Sequence, residues 1–219
     1  MAYQLVIGNK NTSSWSLRPW IAMKHAGIAF NEINVNLRDP DAKAQILRHS
    51  PSGKVPALLT GGNVIWDTLA ILEYLAETHP TANLWPADAV ASSQARSVAS
   101  EMHSGFRALR THCPMDILAR TPTDQLLPQV ETDVRRIVAL WRGCRERFGT
   151  GGPFLFGAFS AADAMYAPVA TRFRTYLPDL ARYGDERGVA QGYADALLAM
   201  PAFLEWERDA RTETATAAS

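Results

Sequence analysis

The stretch "SPSGKVPALLTGGNVIWDTLAILEYL", residues 50–75, holds two short apolar runs, 55–59 and 64–66, on either side of Gly61 and Gly62. Two glycines between β-prone runs supply the positive φ angles that a tight hairpin turn requires, so the runs read as paired strands. The pattern then changes period. Residues 68–77 read as a helix, and Asp67 stands in front of it, where a short carboxylate accepts from the unpaired amides of the first turn. Val55 precedes Pro56 where the first strand opens. Proline removes a ladder donor and is tolerated there only at an edge. A cis bond is one resolution, although only about 5–6% of X-Pro bonds in folded proteins are cis.

Upstream, residues 3–7 read as a buried strand and 16–25 as a helix stopped by Gly27. In residues 30–37, Ile33, Val35 and Leu37 alternate with Asn34 and Asn36, which is the pattern of a half-buried strand. Asp39 followed by Pro40 reads as a helix cap with proline at the first helical position. The order is therefore β-α-β-α-β-β-α, an α/β layered domain over 1–80. A proline-bearing linker follows over 81–88, and beyond it no strand pattern appears, so 89–219 read as an all-helical domain. Its expected helices run over 89–111 and 123–148, then from a start marked by Ser160 and Asp163 in capping-box spacing, then over 189–199 and 202–210. A small-residue tail is expected to fray after them.

Composition narrows the function. The 219 residues contain 22 Lys and Arg against 22 Asp and Glu, so no net field favours nucleic acid or an anionic membrane. Small molecules or protein are the expected partners. Cys113 and Cys144 have neither disulfide-framework nor metal-ligand spacing, and no metal site is expected. The absence of a long apolar run and of a signal-like start leads to the expectation of a soluble, cytoplasmic protein.

The hairpin-and-helix stretch, "SSWSLR" at residues 13–18, "FSAAD" at 159–163 and the helical second half together resemble a glutathione transferase over nearly the whole chain. "SSWSLR" is similar to the "SSCSxR" serine motif of the zeta class and its bacterial relatives. The resemblance implies a thioredoxin-like first domain, an all-α second domain, a homodimer, and glutathione as cosubstrate for attack on a small electrophile. It also implies that the Val55 backbone, before a cis Pro56, pairs with the cysteinyl backbone of glutathione, that Asp67 and Thr68 receive its γ-glutamyl end, and that Lys54 takes its glycyl carboxylate. Those roles suit the tripeptide, which needs an amide edge for its middle, a helix amino end for a carboxylate and an acid for its ammonium.

A free thiol titrates near ~8.5, and each unit of downward shift requires about 1.4 kcal/mol of selective anion stabilisation. Hydroxyls and unpaired amides at a helix amino end supply it. Residue-by-residue matching of the motif places the thiolate-binding serine on Ser13, whereas counting back from Arg18 places it on Ser14, and both stand. Ser16 reads as the helix cap. The sequence departs from the zeta pattern at Trp15, and no arginine in the 161–176 helix falls at the spacing of that class's substrate-carboxylate residue. Both departures weigh against the zeta class's maleylacetoacetate isomerisation. In "SEMHSGFRALR", residues 100–110, Met102 and Phe106 share an apolar stripe beside a polar edge of His103, Arg107 and Arg110. With Trp15, the residues Met102, His103, Phe106 and Arg110 are the candidate substrate contacts. A non-catalytic binding module and a glutathione-dependent cis-trans isomerase are the alternatives to conjugation.

Overall fold

A computed structural model describes residues 3–177 and 179–217. Strands β1 (Tyr3–Gly8), β2 (Phe30–Val35), β3 (Ala57–Thr60) and β4 (Asn63–Trp66) form one sheet in the order β2-β1-β3-β4. β1 runs parallel to β2 and antiparallel to β3, and β3 and β4 form the hairpin over Gly61 and Gly62, at φ 51° and 90°. β1 alternates as a strand between two layers must. Leu5 and Ile7 face α1 (Ser14–His25) and α3 (Thr68–Thr78), packing with Leu17, Trp20, Ile21, Ile71 and Leu72, while Val6 faces α2 (Ala42–Leu47) in a smaller cluster with Val35, Ala42, Ile46 and Ala57.

The helical half comprises α4 (Ala89–Ser104), α5 (Arg107–His112), α6 (Pro128–Phe148), α7 (Ala161–Tyr176), α8 (Val189–Leu198) and α9 (Pro201–Ala217). Its axis is α7, whose alanines admit close neighbours: it packs on α4, α8 and, across the seam between the halves, α1. Asp163 fixes its start, accepting from the Ser160 N–H at 2.8 Å and the Leu155 N–H at 3.0 Å.

Several boundaries differ from the expectations, each for a local reason. Helix α1 begins at Ser14 with Ser13 in the cap position, so Ser16 is not the cap; it lies fully buried inside the first turn, its Oγ accepting the Gly8 N–H at 3.1 Å. α2 is preceded by Asp41 rather than Asp39, because Asp39 closes a turn on Asn36 that also ends β2 at Val35. β3 starts only after Pro56. The single helix expected over 89–111 breaks at Gly105 and Phe106: a Cβ at Gly105 would lie 2.7 Å from the Glu101 carbonyl oxygen, and Phe106 turns at φ 55° to bury its ring. α6 begins at Pro128, five residues later than expected. The small-residue tail continues α9 as helix to Ala217; its last two residues, 218 and 219, lie outside the described residues.

Burial pushes the Asp163 carboxyl from its ordinary 3.8 up to about 6. The folded chain therefore holds that proton more tightly than the unfolded one, and this contribution to stability, fully present in acid, is lost as the pH rises through about 6. Denaturant titrations of wild type and Asp163→Asn should show wild type losing stability relative to the variant between pH about 4 and 6, with a constant difference above pH about 7.

Candidate functional site

A cavity of about 520 Å³ opens beside the sheet edge. Ser52, Lys54, Val55 and Pro56 form one wall, Trp66, Asp67 and Thr68 another, and Trp15, His103 and Arg110 close it from α1 and the helical half. The Val55–Pro56 bond is cis. Asp67, at φ 76°, caps α3: its Oδ1 accepts the Leu69 N–H at 2.9 Å, and its Oδ2 lies 2.7 Å from His103 Nε2 across the domain seam. The cap therefore occupies one carboxylate oxygen and leaves the other at the cavity. Thr68, buried, donates its hydroxyl to the Trp15 carbonyl at 3.2 Å, tying the start of α3 to that of α1.

Trp15 and Arg110 line both this cavity and a second of about 330 Å³. The second is lined by Ser14, Ser104, Arg107, Arg110 and Arg172 along with Trp15 and Thr111. Two guanidiniums pack on the indole, Arg18 at 4.1 Å and Arg110 at 4.8 Å from the ring centre, with the His103 ring edge-on at 5.5 Å. Arg18 is buried: its Nε donates to the Met165 carbonyl and its Nη1 to the Ser14 carbonyl, both at 2.9 Å, while its buried Nη2 has no hydrogen-bond partner. Arg172, also buried, donates to the carbonyls of Cys113 at 2.9 Å and Pro168 at 3.0 Å.

Burial, reinforced by Arg172 and Arg110, pushes Arg18 well below the usual guanidinium range; burial and Arg110 bring Arg172 down to about 10; burial and Arg107 lower Arg110. No carboxylate is among the charges acting on these three arginines. Arginine keeps its proton at neutral pH, so carbonyl dipoles and the Trp15 ring offset these charges, and Arg107, Arg110 and Arg172 give the second cavity a cationic lining.

Ser13 and Ser14 take different positions. The Ser13 hydroxyl is buried 2.7 Å from Ser16 Oγ, which completes a chain to the Gly8 amide, and Ser13 lines neither cavity. Ser14 opens α1 and lines the arginine cavity. Of the residues singled out by sequence, Trp15, Lys54, Val55, Pro56, Asp67, Thr68, His103 and Arg110 meet at the first cavity. Met102 and Phe106 do not; both lie in the core, because the break at Gly105 turns the stripe inward. Arg18 and Arg172 went unselected. Their available signal was a cation placed amid positions otherwise suited to burial, although α1 also carries Lys24 and α7 Arg174.

The family models for the glutathione S-transferase N-terminal domain and C-terminal domain match residues 12–78 and 124–209. The chain belongs to the glutathione S-transferase family. This is a family of enzymes with glutathione as cosubstrate. Among its relatives are a probable maleylacetoacetate isomerase from Caenorhabditis elegans, 26% identical over 94% of this chain and 92% of that protein, and a zeta-class glutathione S-transferase from Euphorbia esula, 29% identical over 74% of each. The fold is that of a glutathione transferase homologue from Burkholderia whose crystal structure holds glutathione, with a TM-score of 0.70, 18% identity, and coverage of 97% of this chain and 99% of that one. Among the described residues, no helix of this glutathione S-transferase is long and apolar enough to cross a membrane, and no group of His, Cys, Asp and Glu is placed to hold a metal ion.

The double duty of Asp67 has a measurable consequence. Asp67→Ala removes the cap and places alanine at positive φ, and urea unfolding should show a loss of about 1–2 kcal/mol. Asp67→Asn keeps a cap acceptor and tolerates that backbone, so its loss should stay within about 0.5 kcal/mol.

Proposed function

We propose that this enzyme conjugates glutathione to small electrophiles that carry a carboxylate, with glutathione in the first cavity and the electrophile's anionic group in the second. The observation carrying this reading is the adjacency of the two cavities at the amino end of α1. One side offers the mixed polar set that a tripeptide needs, and the other offers cations without a carboxylate to neutralise them.

In this reading Lys54 takes the glycyl carboxylate, the Val55 backbone pairs with the cysteinyl unit, Thr68 and the start of α3 receive the γ-glutamyl carboxylate, and the Asp67 oxygen that faces His103 takes the ammonium. Ser14 or Ser13 donates to the sulfur. The potential of Arg18, Arg110 and Arg172 adds to the helix dipole in favouring the thiolate over the thiol. Bound glutathione supplies a nucleophilic sulfur, which displaces a leaving group in conjugation or adds reversibly to a conjugated double bond in isomerisation. The residues orient both partners and exclude water. The isomerase is the second reading, favoured by the arginine cavity and by the maleylacetoacetate isomerase names among the relatives. Arg172 contributes a cation from α7 even though the family's usual spacing is not kept. The family resemblance brings a cytoplasmic homodimer into the same reading, which sedimentation at micromolar concentration checks.

Two measurements test the function. Ultraviolet absorbance of bound thiolate, titrated against pH, should move to higher pH by about one unit in Ser14→Ala or Ser13→Ala, whichever serine makes the contact, and the double variant should lose about tenfold or more in conjugation rate near neutral pH. A double variant with full activity sinks the serine mechanism. Arg172→Met should raise KM for a carboxylated acceptor by about tenfold or more while leaving neutral acceptors within about twofold, since a charge-assisted contact is lost only for the former.

A further inference from the structure

The β1–α1 turn that delivers the two serines is fastened from an unexpected direction, the far end of the helical half. We propose that α9 acts as a positioning device for the sulfur cradle, with Glu213 as its key residue: Glu213 holds the 9–13 turn in the geometry that presents the serines of α1 to a guest sulfur. The proposal rests on the serine reading above and adds to it a residue of the last helical turns.

The contacts form a closed series. Glu213 Oε2 accepts the Lys10 N–H at 2.7 Å, and its Oε1 accepts from Asn9 Nδ2 at 3.0 Å. The Asn9 carbonyl in turn accepts the N–H groups of Thr12 at 3.2 Å and Ser13 at 2.8 Å. One side chain of α9 is thus linked through a single residue to the backbone of Ser13. The opposite face of the turn is fixed too: Trp206 Nε1 donates to the Lys10 carbonyl at 2.7 Å. Lys10, only 7% exposed, sets its ammonium beside the Trp20 and Trp206 rings and against Asp209 at 2.8 Å and Glu32 at 2.9 Å.

Such a clamp exceeds what packing the helix end requires. Apolar contacts of Phe203, Trp206 and Ala210 already bury α9 in the core. Glu213 lies beyond them, contributes nothing apolar, and spends both oxygens on the turn. Paired bonds to a carboxylate are the directional kind that fix a backbone in place. Displacement of about 1 Å at a group far from the reacting atoms is enough to change a rate about a hundredfold, so a clamp on this turn has kinetic weight even without touching a substrate.

The test compares wild type, Glu213→Ala and Glu213→Gln on the full chain by three readouts: the pH titration of bound glutathione thiolate absorbance, amide hydrogen exchange at Lys10, Thr12 and Ser13, and thermal unfolding. Glu213→Ala should raise exchange at these amides about tenfold or more and move the thiolate midpoint up by about one pH unit, with kcat falling more than KM for glutathione rises. Glu213→Gln, which keeps one acceptor, should recover most of both. A merely structural role would lower the unfolding temperature and leave the thiolate midpoint in place, and that result overturns the proposal. So does unchanged exchange in Glu213→Ala. If wild type itself forms no thiolate on bound glutathione, the serine reading fails on its own account, and the exchange at the three amides alone then decides whether Glu213 orders the turn.

Discussion

The rest of the structure depends on the burial of α1 on two sides at once. Leu17, Trp20 and Ile21 pack toward the sheet and α3, while α7 covers the other side of the helix. A helix enclosed in this way has no solvent face for polar side chains along its middle, and Ser16, Arg18 and Pro19 are all buried. Its amino end is thereby forced into the seam between the halves, where Ser14 lines the second cavity, Trp15 lines both, and the positive end of the helix dipole lies close by. Arg18 fastens that seam, donating within α1 to the Ser14 carbonyl and across to the Met165 carbonyl of α7. The placement of the site therefore follows from the packing that joins the two halves.

Two kinds of buried cation illustrate how the fold separates structure from chemistry. Lys10 is compensated in full, with Asp209 and Glu32 at its ammonium and two indole rings beside it. A cation so neutralised has little attraction left for a guest and serves the architecture. Arg18, Arg110 and Arg172 instead donate to carbonyl oxygens of Ser14, Met165, Gly105, Cys113 and Pro168, and Arg18 Nη2 is left without a partner. Carbonyls meet the hydrogen-bonding demand of a guanidinium without cancelling its charge, and so the potential persists in the cavity. The second arrangement is costly to fold, which is a reason to expect such sites where binding needs them.

Local signals carried the sequence reading as far as local physics decides. Gly61, Gly62 and Asp67 act through their own backbone and first neighbours, and the hairpin and the capped helix stand where their pattern placed them. The same holds for the buried strand β1 and for the Asp163 cap. Features decided by distant partners were illegible. Ser16 has the composition of a cap, yet the Gly8 amide claims its oxygen. Residues 89–111 keep a helical period through a break fixed by the burial of the Phe106 ring. Thr212, Thr214 and Thr216 look like an end that frays, yet Glu213 among them meets a loop some 200 residues away in sequence, separations of 204 and 203. The cavity role of Arg172 depends on partners from α1, α4 and α5, which no spacing within α7 reveals.

Trp15, which departs from the resembling serine motif, takes on meaning beside the arginines. A cysteine there would offer a small thiol and no surface for a guanidinium. An indole presents a broad π surface, and here both Arg18 and Arg110 pack against it. Each such contact is worth about 0.5–2 kcal/mol, more where water is excluded, and it offsets part of the cost of holding Arg110 near the buried Arg18, whose proton affinity Arg110 lowers. The tryptophan is therefore physically coupled to Arg18 and Arg110: the ring helps the charges to coexist, and the charges help to fix the ring where it lines both cavities. On this argument the substitution of a thiol by an indole exchanges one way of stabilising an anion near the serines for another.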